Sequence, residues 1–278
     1  MANVEQISTD KKVVITDIGE LNYDVLVIAI GTTTNFFNLP EESTSKMKTL
    51  KSIPQALDLR SYILENFENA LLEEDLDAKK ALMNISIVGG GPTGVELAGA
   101  IAEMKSHMLP GDYKELNLNK MQVHLFEASG NLLGPMSKDS QKRAVEYLDK
   151  FGVNIHLNTA VKSYTKGQLV YGEDESLMTE TVIWTAGVKG AYLPGLPQDV
   201  YLPNSRIKVN EFNEIGGLAD VYAIGDIASM SLEDFPRGHP MVAPVAIQQG
   251  ELLAKNIMKK INNAPLEAFK YFDKGSMA

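Results

Sequence analysis

No cysteine occurs among the 278 residues. That absence excludes disulfide frameworks, thiolate metal sites, iron–sulfur clusters and any redox-active cysteine pair. Apolar runs of the ~18 residues that cross a bilayer are missing too, and no n-region followed by an apolar h-region opens the chain. The expectation is a protein that is neither secreted nor membrane-spanning. Positive charge is in the minority: 26 Lys and Arg face 36 Asp and Glu, for a net charge of −10. Such a field repels phosphate backbones and anionic lipid, so no nucleic-acid partner is expected. Histidine is scarce, and His107, His124, His156 and His239 are scattered along the chain without the spacing of metal ligands, so no metal site is expected.

What is present is ordinary globular material, 44% hydrophobic and 22% charged, long enough for two domains of usual size. Short strands open the chain: Val13 to Ile15, a turn over Ile18 to Glu20, then Tyr23 to Ala29, whose unbroken β-branched run predicts a strand covered on both faces. From about Ser52 to Leu82 apolar residues recur on one helical stripe. A compact alternation then begins, with a strand over 84–88, a helix over 93–108, a strand over 121–127, a helix over 138–151, a strand over 153–157, a hairpin over 162–172 and a strand over 181–185. Alternating strands and helices predict a parallel sheet with helices on its faces. Further on, Val221 to Ile224 predicts another strand and Ala246 to Ile261 a final helix.

The strand Ile85 to Val88 runs directly into Gly89-Gly90-Gly91-Pro92-Thr93-Gly94. This fits G-x-G-x-x-G, and its position between a strand and a helix supplies the context that the bare motif lacks. Gly89 allows the tight turn, Gly91 lets backbone amides approach a pyrophosphate, and Gly94 lets the helix lie close to its strand. The next strand ends at Glu127, whose carboxylate suits the adenosine ribose hydroxyls and repels a 2′-phosphate, favouring NADH over NADPH. Glu127 lies farther from Gly94 than the roughly 20 residues usual for this fingerprint. An insertion is therefore expected, and Met108 to Tyr113 reads as one, with Pro110-Gly111 stopping the helix before a polar excursion.

Downstream, Val221-Tyr222-Ala223-Ile224-Gly225-Asp226 resembles the Gly-Asp motif of the two-dinucleotide-binding-domain flavoproteins, which places Asp226, with Gly225, on the ribityl chain of FAD. Ala29-Ile30-Gly31 and Trp184-Thr185-Ala186-Gly187 resemble the turns that enter and leave the nucleotide domain of that superfamily, with Ile30 standing where Thr is usual. Within it the chain is similar throughout to the type II NADH dehydrogenases, the single-subunit NADH:quinone oxidoreductases. Four segments carry the likeness: Gly94-Val95-Glu96-Leu97-Ala98-Gly99, the insertion Leu109 to Tyr113, Ala246-Ile247-Gln248-Gln249-Gly250, and Asp273-Lys274-Gly275-Ser276-Met277-Ala278.

The resemblance implies an α/β fold in which a Rossmann-like NADH-binding domain, 83–190, is inserted in a partial FAD-binding domain, 1–45 and 191–278, through a helical linker, 46–82. It implies that Gly89, Gly90, Gly91, Pro92, Thr93, Gly94, Glu127, Ala186 and Gly187 hold NADH, and that Gly31, Gly225, Asp226 and Lys274 hold FAD. Glu96 would lie near the nicotinamide, unless it serves only as a first-turn carboxylate facing the helix dipole. Gln248 and Gln249 would lie beside a quinone, unless they merely open a helix. Pro244 stands where the family often carries another glutamine, and no glycine fingerprint precedes Ala29. The expectation is a fragment of a cytoplasmic enzyme, peripheral on the inner face of the cell membrane when full length, touching membrane through a C-terminal region absent here, with a homodimer as its assembly. Two alternatives stay open: an NADH-binding module inactive without the missing FAD segment, and a flavin reductase for a soluble protein acceptor.

Overall fold

The computed structural model describes residues 2–275, and these divide into two compact units, 2–33 with Val188–Gly275, and Thr34–Gly187. The final motif therefore reaches past the described residues at Ser276, Met277 and Ala278. The divisions fall at 33/34 and 187/188, whereas the sequence placed them at 45/46 and 190/191.

The first unit opens with an antiparallel meander of β1 (Val4–Ser8), β2 (Val13–Thr16) and β3 (Gly19–Asn22). Next come β4 (Leu26–Ile28) and β5 (Thr32–Thr34). The run from Tyr23 forms only a short strand, and it is covered on one face: Ile28 is buried, whereas Val25 and Val27 are each 39% exposed. β-branched residues suit a half-buried strand as well as a buried one, which is why composition misjudged it.

The second unit begins with α1 (Glu41–Thr44), β6 (Lys48–Thr49), α2 (Ile53–Leu72) and α3 (Leu76–Met83). The periodic stretch from Ser52 is thus two helices, because Asp75 accepts hydrogen bonds from the amides of Asp77 and Ala78 and so caps a new start. Nor is it a linker. Leu59, Ile63, Phe67 and Ala70 of α2 are buried in the same cluster as Ile85 and Ile87 of the sheet.

There follow β7 (Ile85–Val88), α4 (Pro92–His107), α5 (Leu109–Asp112), β8 (Val123–Phe126), α6 (Lys138–Lys150) and β9 (Val153–His156). The insertion after α4 is not a polar excursion, since Leu109, Tyr113 and Leu116 are buried and the Tyr113 hydroxyl donates to Glu68 Oε1 at 2.9 Å. A second meander, β10 (Val161–Thr165), β11 (Gln168–Tyr171) and β12 (Glu175–Met178), precedes β13 (Thr181–Trp184). The main sheet runs β6-β13-β7-β8-β9, parallel throughout. Every residue of β7, β8 and β13 is buried, as a parallel sheet covered on both faces requires. One face packs on α2, α4 and α6; on the other, Val88, Phe126, Val182 and Trp184 pack with Tyr164 and Leu169 of the meander.

The chain then returns to the first unit through β14 (Val188–Gly190), β15 (Ile207–Val209), β16 (Val221–Ala223), β17 (Ala228–Met230) and α7 (Ala243–Ile261). β16 pairs parallel with β4, and β15 with β17. α7 starts earlier than Ala246, and Pro244 lies in its first turn, where a missing N–H costs nothing. Ile7, Ile28, Ile207, Ala223, Ile227 and Val245 are among the core residues of the first unit.

Candidate functional site

In the second unit, strand register aligns the ends of three parallel strands. Val88 is level with Trp184 on one side and with Phe126 on the other. The loop after β7 leaves from the middle of that row. Gly89 has φ +115°, and a Cβ there would meet Ala186 Cα at 2.5 Å. A Cβ on Gly90 would meet Leu132 Cδ2 at 2.6 Å, and one on Gly94 would lie 1.8 Å from the Gly89 carbonyl oxygen. Only Gly91 faces open space, with nothing within 4 Å of such an atom. It is the N-cap residue of α4 and no side chain caps the helix, so the first amides point outward unsatisfied, an arrangement suited to anions. Pro92 and Thr93 are exposed, which leaves the approach clear.

Glu127 turns back toward this loop. Its Oε2 accepts from the Gly90 amide at 2.7 Å and its Oε1 from the Ser129 amide at 2.7 Å. A carboxylate has about four acceptor positions, so two stay available for hydroxyl donors. Glu96 is exposed on α4 and is its fifth residue, past the first turn, because the helix begins at Pro92. That distance weakens the dipole reading, which depends on the first turn.

Beside the loop is a cleft of about 410 Å³ whose lining includes Gly89, Glu127, Thr159, Trp184, Ala186 and the pair Phe36 and Phe37. The aromatic side of this cleft was missed by sequence reasoning, which assigned Phe36, Phe37 and Trp184 no role. Two adjacent phenylalanines amid polar residues, and the only tryptophan of the chain just before Thr185-Ala186-Gly187, were the available signals.

The histidines that looked scattered include a pair. His124 Nδ1 lies 3.1 Å from His156 Nε2, and Phe126 stacks on His156 with 4.4 Å between ring centroids. Neighbouring parallel strands bring them together, which spacing along the chain conceals. Burial, with the His156 ring adding to it, lowers the His124 pKa from 6.5 to about 4. The fold therefore favours the neutral ring, and its contribution is complete above pH 6.5 and lost as pH falls toward 4. Thermal melts across that range should show a loss on the order of 3 kcal/mol that a His124→Leu variant does not show. Equal pH slopes for both proteins would refute it.

In the first unit, Gly225 has φ +71° at the end of β16, and its amide donates to Gln249 Oε1 at 2.7 Å. Asp226 follows, half-buried, with its backbone carbonyl accepting from Arg206 Nε at 3.0 Å. Gln249 is 1% exposed, and Gln248 holds the backbone of Phe272 from both sides, donating to its carbonyl at 2.9 Å and accepting from its amide at 3.0 Å. Both carboxamides thus have structural partners. Gly31 has φ +68°, and Lys274 is exposed next to Asp273, which accepts from the Gly275 amide.

Comparison with known proteins bears on this arrangement. The family model described as pyridine nucleotide-disulphide oxidoreductase matches residues 1–250. The chain belongs to that family. Among curated proteins it is 33% identical to the type II NADH:quinone oxidoreductase Ndh of Mycobacterium tuberculosis, covering 92% of this chain and 56% of that protein. It is 29% identical to the type II NADH:quinone oxidoreductase of Staphylococcus aureus, covering 99% of this chain and 68% of that one. The chain thus spans between about half and two thirds of the length of these curated relatives. Among solved structures, NDH2 from Plasmodium falciparum in complex with NADH superposes with a TM-score of 0.88 at 20% identity, covering 99% of this chain and 72% of that one. A ferredoxin reductase from Rhodopseudomonas palustris superposes with a TM-score of 0.74 at 14% identity. These likenesses bear out the α/β two-dinucleotide-binding fold. These 278 residues include no cysteine.

Proposed function

We propose that the chain takes part in oxidising NADH and delivering its electrons to a quinone, with the second unit binding NADH and the first contributing to a flavin site. The single observation that carries this reading is the loop from Gly89 to Gly94: an open, uncapped helix N-terminus joined by Glu127 to the end of the neighbouring strand. The curated relatives, named as NADH:quinone oxidoreductases, support the choice of substrates.

The residues of the first unit fit FAD on structural grounds. Asp226 stands half-buried at a strand end, with no hydrogen bond to its carboxylate among the described residues, beside a glycine in a left-handed turn. Such a carboxylate suits polyol hydroxyls. When bound, FAD supplies the two-electron acceptor that links hydride removal from NADH to quinone reduction. The protein's own part is placement: amides at Gly91, Thr93 and Gly94 for the pyrophosphate, Glu127 for the ribose, Asp226 for the flavin chain. Lipid-soluble quinones require access to a membrane, and among the described residues no helix is long and apolar enough to cross one. Peripheral attachment on the cytoplasmic face, and a homodimer, complete the proposal.

The test is titration of the purified chain with NADH and NADPH, followed by quinone reduction with and without added FAD. NADH should bind at least tenfold more tightly than NADPH, and Glu127→Gln should narrow that preference by removing the charge that opposes a 2′-phosphate. Equal binding of the two nucleotides would remove the role given to Glu127, and no NADH binding at all would overturn the reading.

A further inference from the structure

Phe37 has a backbone φ of +53°, in the left-handed region that bulky side chains rarely occupy. Its side chain is nevertheless 63% exposed. Strain of this kind persists only where the surroundings enforce it, and it concentrates at ligand-binding positions. Here the enforcement is explicit. The Asn35 amide donates to the Gly187 carbonyl at 3.0 Å, the Asn35 carbonyl accepts from Trp184 Nε1 at 2.9 Å, and Asn35 Oδ1 accepts from the Phe37 amide at 2.9 Å. Gly187 presents no side chain against the ring, since a Cβ there would lie 2.9 Å from Phe37 Cζ. The ring stands edge-on to Trp184, with 6.4 Å between centroids.

Folding of the second unit gains little from this arrangement. A glycine at 37 would relieve the backbone, and a polar side chain there would give up little burial. The exposed ring does, however, border the cleft that also contains Gly89, Glu127 and Ala186. Its place in that cleft follows from the sheet order. Glu127 follows β8, on one side of β7, whereas Ala186 and Gly187 follow β13, on the other. A pyrophosphate on the loop after β7 sends the two halves of a dinucleotide to opposite sides of that strand. With the adenosine ribose at Glu127, the nicotinamide half falls on the β13 side, where Phe37 stands.

Resting on the NADH reading above, we infer that Phe37 is an aromatic platform for the nicotinamide ring, held in a strained conformation so that its face is presented to the ligand. Its packing partner is a planar heteroaromatic ring, which explains why an apolar side chain is kept in water.

The single tryptophan, Trp184, lines the same cleft and reports binding by its fluorescence. Two ligands separate the halves of the site: NADH, and ADP-ribose, which lacks the nicotinamide. Phe37→Ala should weaken NADH roughly 3- to 10-fold and leave ADP-ribose within twofold, because an aromatic pair contributes on that scale beyond simple burial. Phe37→Tyr should retain NADH affinity. Phe37→Gly, free of backbone strain, should melt no lower than the unaltered chain and still bind NADH as weakly as Phe37→Ala. Unchanged NADH affinity in both the Ala and Gly variants overturns the inference, as does an equal loss for ADP-ribose, which would mark Phe37 as a support for the whole loop. If the unaltered chain binds neither ligand, the dinucleotide reading itself fails. If it binds both and only the variants depart from expectation, the failure is confined to Phe37.

Discussion

Replacing Gly94 with alanine should abolish measurable NADH binding, a loss of at least about a hundredfold, and lower stability by about 3 kcal/mol. The added Cβ would lie 1.8 Å from the Gly89 carbonyl oxygen and 2.8 Å from Thr185 Oγ1. Neither atom is free to retreat. The Gly89 amide is bonded to the Phe126 carbonyl at 2.8 Å, and the Gly89 carbonyl accepts from Thr185 Oγ1 at 3.2 Å. Relief requires α4 to move off β7, which opens the contact made by Ala98 and Ala102, each buried to 1% exposure or less. The helix N-terminus and its amides then leave the position that a pyrophosphate needs. Gly91→Ala is the companion measurement. Its Cβ would meet nothing within 4 Å, so melting should be unaltered while the methyl group obstructs the amides and weakens NADH. A Gly94→Ala protein that binds NADH normally would show that the loop is only a packing feature.

Arg206→Met should cost the first unit about 3 to 5 kcal/mol, roughly a 10 °C lower midpoint, by analogy with breaking a buried charged network. Arg206 is 5% exposed, and its guanidinium donates to the carbonyls of Asp226, Ala228 and His239. Burial lowers its pKa, and the nearby Asp226 charge works the other way. Methionine fills the volume but donates nothing, leaving carbonyls at the end of β16 and around β17 without partners. The segment that presents Gly225 and Asp226 should loosen with them. Thermal unfolding monitored by far-UV circular dichroism provides the measurement, with Trp184 fluorescence reporting the second unit separately. A midpoint within 2 °C of the unaltered chain, a difference of roughly 1 kcal/mol or less, would refute the role assigned to this arginine.

The glycine-rich loop was legible in the sequence because its constraints are local. Gly89, Gly91 and Gly94 have their roles through backbone conformation and through atoms a few residues away, and the strand before them and the helix after them follow from short-range periodicity. β7, α4, β8, α6, β9 and β13 all fall within a few residues of expectation for the same reason. Other features depend on contacts between residues distant in the chain and were correspondingly hidden. The α2 stripe reads as an amphipathic helix, but that its partner is the main sheet, making it core and not linker, depends on Phe67 and Ile63 meeting Ile85 and Ile87. The excursion after α4 contains Pro110, Gly111 and Asp112, which read as polar loop until Tyr113 is seen packed against Phe67, the two rings tilted with 5.5 Å between centroids.

By itself, then, the sequence determined that a glycine-rich loop lies between a strand and a helix with an acid at the next strand end, and that no thiol stands among these 278 residues. These follow from residue type and near-neighbour spacing. Tertiary structure decided the rest: that Glu127 reaches back to the Gly90 amide, that His124 and His156 share a hydrogen bond, that both glutamines of α7 serve backbone partners, and that Phe37 is pinned beside Gly187. Each depends on strand register or on a close approach between segments far apart in the chain, and neither is encoded in any single stretch of residues.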